Sequence, residues 1–376
     1  MRNSDTALPV SPLEEVARRF PLVPRPRAVC RSLEQRVARV RNRAHLAAQR
    51  GDDAVLRAAE AFNVAALIAT DCGLPKLARE LCWRQADVFL TGRPFPAATA
   101  KLALQPLINL GRLLVRDGDG DGAYQVFRGL FDALHDRVTA IVTGREVDLA
   151  DLVTDEDQPE IVQWMRLVLL VDGSSALARA GRWTEALDHA ERHNGVDGRL
   201  HEGRQVAIIA RATSGHYDEA ARLLAVTPIE ASWEGSVAAC LQTLCLCVAD
   251  QPTGPAVPAM VDAYLRLPLE PEHGVFQVRV GLSVLGLAPH ALGAGEVTQK
   301  MTRAAVVSGD AYAARELLDG APHVAGGDMP TLAAMVDAAG LGRRRVRGDL
   351  LDDLQHATRT AAAVMKETLT SADTPG

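Results

Sequence analysis

Aromatic residues make up only 4% of this 376-residue chain, and lysine occurs only at Lys76, Lys101, Lys300 and Lys366. So few aromatics, beside an apolar set dominated by alanine and leucine, argue against a sheet protein and for closely packed helices. The six cysteines include no CxxC pair, which excludes a dense disulfide framework and leaves reduced thiols as the simplest state. No uninterrupted apolar run approaches the ~20 residues of a membrane span. The opening MRNSDTALPVSPLEEV lacks the apolar core of a secretion signal, so a cytoplasmic location is the default expectation. Phosphate-cradling GxxxxGK[ST], dinucleotide GxGxxG, nucleophile-elbow GxSxG, kinase and zinc-finger patterns are all missing. Catalytic groups assembled from distant residues would leave no such trace. A net charge of −6 gives no global attraction to nucleic acid.

What is present is an ordinary folding composition, 48% hydrophobic and 23% charged, in a chain long enough for two packed parts or one extended repeat array. Apolar residues recur at helical spacing: in RSLEQRVARVRNRAHLAA, Leu33, Val37, Val40, Ala44 and Ala47 advance by three or four. Strand-like alternation is hard to find. Pro9, Pro12, Pro21, Pro24 and Pro26 oppose a continuous helix and mark residues 1–28 as an irregular lead-in. The expected organisation is then N-terminal helical hairpins over 29–145, an acidic connecting segment over 146–160, a C-terminal helical array over 161–367, and a flexible tail over 368–376. The local basic excess of Arg36, Arg39, Arg41 and Arg43 and the acidic stretch are read as solvated faces or loops.

The most informative feature is a self-match. AGRWTEALDHA, beginning at Ala180, aligns with SGHYDEAARLL, beginning at Ser214, when the chain is shifted by 34 residues. Gly181 pairs with Gly215, Trp183 with Tyr217, Glu185 with Glu219 and Ala186 with Ala220. The glycine is expected to end one helix, the aromatic to pack in the turn, and the alanine to let the next helix approach closely. Weaker echoes of the step from glycine to small residue occur at Gly73 and Ala78, Gly118 and Ala123, Gly254 and Ala259, and Gly309 and Ala314.

The two good segments resemble the glycine, aromatic and alanine pattern of tetratricopeptide repeats over about residues 167–234, without the family's tryptophan and proline signatures elsewhere. The resemblance implies an all-α solenoid of stacked antiparallel helical hairpins with irregular repeats. It further implies a scaffold that binds a peptide or protein segment in a concave groove, with the first helix of each hairpin facing inward. That register places Gln105, Arg112, Ser175, Glu202 and Gln205 in the groove. The leading expectation is a non-enzymatic adaptor or regulatory protein with no catalytic residue, metal or cofactor. One alternative is an accessory or catalytic component of a peptide-modification or biosynthetic pathway, assisting an enzyme partner. A second is a peptide-responsive transcriptional regulator reading DNA through Arg31 to Arg43, although that segment is too small for a complete DNA-binding module. Terminal repeats need capping, by end helices or by a second copy in a homodimer.

Four motifs carry competing readings. DGDGDG at 117–122 begins like a calcium loop, but its twelfth position is Arg128 where a bidentate glutamate is required. An inter-helix turn with Asp121 as cap is preferred. His189 and His193 lie four apart, with His201 a conceivable third metal ligand, and packing or surface histidines are the alternative. Cys240, Cys245 and Cys247 sit in an apolar run and read as core. The GRRRVRG sequence around Arg343 to Arg347 suits an acidic partner, phosphate or nucleic acid. Asp349, Asp352 and Asp353 follow it and favour an ion-paired helix face.

Overall fold

The computed structural model describes residues 11–321 and 328–371. In chain order the helices begin with α1 (Pro12–Ala17), α2 (Leu33–Ala48), α3 (Ala54–Asp71), α4 (Pro75–Phe89), α5 (Ala97–Arg116) and α6 (Gly120–Asp136). A β-hairpin follows, β1 (Thr139–Val142) and β2 (Arg145–Asp148). Helix resumes as α7 (Gln158–Val168), a π-helical turn (Leu169–Gly173) and α8 (Ser174–Arg179). Next come α9 (Trp183–Arg192), α10 (Glu202–Thr213), α11 (Tyr217–Ala225), α12 (Ser232–Val248) and α13 (Ala256–Arg266). The last are α14 (Gly274–Leu287), α15 (Ala294–Ser308), α16 (Ala311–Gly320), α17 (Met329–Ala339) and α18 (Gly348–Ser371). The protein is therefore mostly helical, with consecutive helices packed as pairs.

Internal contacts divide the chain into two compact units, neither continuous in sequence. One comprises Ala28–Ala176, Gly309–Tyr312 and Pro330–Gly376; the other comprises Met1–Arg27, Leu177–Ser308 and Ala313–Met329. In the first, the α2 unit, each of α2 to α6 packs on its successor, and α18 lies against α2, α3 and α4. The packing stripe of α18 is Leu350, Leu354, Ala357, Ala361 and Met365, all buried and spaced by three or four residues. In the second, the α10 unit, α9, α10, α11 and α12 pack in sequence, α14 pairs with α15, and α1 rests on α12 and α14.

The two segments of the self-match adopt the same turn. Gly181 and Gly215 both have left-handed backbone, φ 75° and 82°. Their amides donate to Ala178 and Ala212, and the amides of Arg182 and His216 donate to Leu177 and Arg211. These paired bonds satisfy carbonyls that the ending helix leaves open. Ala186 and Ala220 are fully buried. Trp183 is buried too, whereas Tyr217 is 41% exposed and does not fill its turn as expected. Gly73, Gly118 and Gly309 are also left-handed, each followed by a buried alanine at 78, 123 and 314. The Gly254 echo fails: its φ is not positive, and Ala259 is exposed.

Other expectations need correction. The β-hairpin was not visible as alternation, because four-residue strands are too short to display a period of two. The lead-in contains α1, capped by Ser11, whose hydroxyl accepts from the Glu14 amide, with Pro12 at the first turn where a missing amide costs nothing. The segment 146–160 holds β2, a bridge from Val153 to Phe95 and the start of α7. Of the tail, residues through 371 continue α18 and 372–376 lie outside the described residues. The helical run Gln158–Arg179 is long and apolar enough to cross a membrane by length and composition, and 44% of its apolar window is buried inside the protein.

Candidate functional site

Helix α5 carries Gln105, Asn109, Arg112 and Arg116 at steps of four, three and four, which aligns them on one face. Leu104, Leu107 and Ile108, which flank and back this row, are buried in the α2 unit. Gln105 Nε2 donates to Asn109 Oδ1 at 3.1 Å, and Asn109 Nδ2 donates to Asn63 Oδ1 on α3 at 3.2 Å. Arg112 reaches the other way, Nε to Asp172 Oδ1 at 3.0 Å and Nη2 to Asp172 Oδ2 at 2.9 Å. That bidentate geometry is the strong form of an ion pair. A polar row thus crosses α3, α5 and the π-helical turn after α7.

The π-helical turn has a cause in the sequence. Ile161, Met165, Leu169 and Gly173 are buried at successive steps of four, and in a regular helix each such step drifts roughly 40° around the axis. The wider turn takes up that drift, and such turns recur at functional sites. It puts Asp172 opposite Arg112. Leu167 and Val171 on the same helical run are 50% and 36% exposed, and Leu67, one turn along α3 from Asn63, is exposed as well. Chemically the face offers side-chain amides that both donate and accept, the Arg112–Asp172 and Arg116–Asp71 ion pairs, and flanking apolar contact.

The five expected groove residues divide between the units. Gln105 and Arg112 belong to the row and are linked through Asn109, to which Arg112 Nη1 also donates at 3.4 Å. Ser175 is half-buried in α8. Glu202 and Gln205 belong to the α10 unit. Glu202 pairs with Arg25. Gln205 is fully buried: its Nε2 donates to the carbonyls of Leu22 and Leu200, both at 2.9 Å, and its Oε1 accepts from the Leu22 amide at 2.7 Å. It secures the lead-in and presents no free polar group to a ligand. Asn63, Asn109 and Asp172 were missed. The available signal was Asn109, an amide in mid-helix within the apolar run LINLGRLL.

A second polar centre lies inside the α2 unit. Asp71 accepts from Arg36, Tyr312 and Arg116, and its backbone carbonyl accepts from Gly342 at 2.7 Å. Arg36 is therefore buried, contrary to the solvated face expected for 36–43. Burial alone would lower its pKa, but the adjacent Asp71 charge holds it raised. Arg41 and Arg43 pair with Asp353 and Glu60, so three of the arginines proposed to read DNA are already engaged.

The remaining motifs resolve locally. Asp119, not Asp121, caps α6 by accepting from the Gly122 amide at 2.8 Å. The reason is that Asp121 already lies inside the first turn. His189 and His193 have ring centroids 4.6 Å apart, while His201 faces Asp197 at 3.0 Å. Among the described residues no group of three His, Cys, Asp or Glu side chains is placed to hold a metal. Cys240 and Cys245 are buried, and burial pushes both thiols up to about 12. Arg343 pairs with Asp337, and Arg347 with Glu34 and Asp349.

No protein-family model, curated protein or solved structure matches this chain.

Proposed function

We propose that the chain is a non-enzymatic adaptor or regulatory protein that holds an extended peptide or protein segment across α3, α5 and α7. The polar row of Asn63, Gln105, Asn109, Arg112 and Asp172 carries this reading. An extended backbone exposes alternating donors and acceptors, which carboxamides match in either direction. Exposed Leu67, Leu167 and Val171 supply apolar contact for its side chains. In the finer architectural reading, successive hairpins form an irregular tetratricopeptide-like array. It draws support from the shared glycine turns at 181 and 215 and from sequential packing of α2 to α6.

Affinity selection of random short peptides on the immobilised full chain tests the proposal. The expected outcome is a family of enriched peptides that bind Asn109→Ala about tenfold more weakly at unchanged melting temperature. Enriched peptides that bind Asn109→Ala and Arg112→Gln as tightly as the parent would place recognition elsewhere. No enrichment at all would defeat the peptide reading.

A further inference from the structure

Independently of the peptide reading, the arginine-rich loop before α18 borders a cleft of about 690 Å³ in the α2 unit, a volume within the roughly 300–1,000 Å³ of small-ligand sites. Arg343, Arg345 and Arg347 line it, facing Glu34 and Asp337. Arg343 is 3.3 Å from Asp337, and Arg347 is 3.4 Å from Glu34 and 2.7 Å from Asp349. Among the described residues nothing pairs with Arg345. The floor is apolar, formed by Leu33, Val346 and Leu350.

The loop is held in an unusual conformation. Gly340 and Gly342 are left-handed, and so is Arg344 at φ 56°, a region that costs a non-glycine residue free energy and persists only where surroundings enforce it. Here the enforcement is visible. The Gly342 amide donates to the Asp71 carbonyl at 2.7 Å, and Arg344 Cγ packs where a Cβ on Gly73 would be 3.3 Å away. The buried Asp71 centre therefore anchors the loop that presents Arg343, Arg345 and Arg347 to one concavity.

We propose that this cleft binds a small organic phosphate, with the phosphate on Arg345 and its neighbours and an apolar group on Leu33, Val346 and Leu350. Guanidinium forks match phosphate oxygens bidentately. Arg343 and Arg347 are engaged by Asp337, Glu34 and Asp349, which leaves the Arg345 guanidinium to meet a compact anion. An extended polyanion would also meet Asp349, outside the cleft lining beside Arg347, and the chain's net charge of −6 repels it further.

Calorimetric titration of the full chain with phenyl phosphate and with inorganic phosphate tests this at low and moderate salt. Phenyl phosphate should saturate at one site, bind more tightly than inorganic phosphate, and weaken with salt. Arg345→Gln should weaken it about tenfold, while Arg128→Gln, on the exposed face of α6, should leave it unchanged. Equal weakening in the two variants, unsaturable binding, or duplex DNA outcompeting phenyl phosphate would each overturn the proposal. Arg345 is exposed, so its replacement leaves the fold intact, which the melting temperature checks.

Discussion

Arg116 Nη1 lies 3.0 Å from Asp71 Oδ1, tying the last turn of α5 to the last residue of α3. Asp71 is 3% exposed through its side chain and Arg116 43%, so the two ends of this pair differ in what their loss would cost. Asp71→Asn leaves buried Arg36 without its counter-charge and should destabilise by about 3–5 kcal/mol. Arg116→Gln removes a partly solvated partner and should cost about 1 kcal/mol or less. Urea unfolding of the two variants measures the difference, and equal costs would refute a buried hub at Asp71.

Glu234 gives the α10 unit an acid-sensitive component. Its burial would raise its pKa, but the Ala231 amide, the Arg199 guanidinium and the Glu230 amide together hold it below the usual carboxylate range. A lowered folded pKa means stabilisation that is present above the ordinary glutamate value and lost as pH falls through the folded one. Glu234→Gln should therefore unfold at lower urea than the parent at pH 7. The gap should narrow progressively as the pH is taken down from about 5, and a gap independent of pH would contradict the assignment.

Gly215→Ala isolates the backbone term of the repeated turn. A Cβ there meets nothing within 4 Å, so only the left-handed φ of 82° opposes the change. The expected cost is about 1 kcal/mol, read as a shift in urea midpoint. A neutral substitution would show that the turn is free to rearrange.

Gln205→Ala should release the lead-in. It removes three hydrogen bonds and leaves the Leu22 backbone groups unsatisfied, at a cost of about 2–3 kcal/mol. Hydrogen exchange at the Leu22 amide should accelerate well beyond that of amides in α10; uniform acceleration throughout the unit would mean global loosening instead.

Thiol chemistry separates the cysteines by burial. Burial pushes Cys82, Cys240 and Cys245 up to about 12 and Cys30 and Cys72 up to about 11. Cys247 is half-buried. A disulfide reagent at pH 8 should label Cys247 first and the other five only as the chain unfolds.

Helix positions were legible from local information alone. Spacing of apolar residues in α2, the left-handed glycines at 181 and 215, and the small alanines five residues on depend on contacts within one hairpin, and these are what periodicity encodes. Gln105 and Arg112 could be placed on one face of α5 for the same reason. Their partners could not: Asn63 is 46 residues from Asn109, and Asp172 is 60 from Arg112. Similarly, α18 closes on α2 across more than 300 residues, and Tyr312 meets Asp71 across 241. Nothing in a local pattern says which distant segment will cover a given helix face. The sequence by itself determined helices, their turns and their apolar stripes, because backbone propensity and side-chain period act over a few residues. Only the tertiary structure decided that Arg36 would be buried against Asp71, that Gln205 would be enclosed, and that Asn109 would join a polar row. Each of those outcomes depends on which remote surfaces exclude water together.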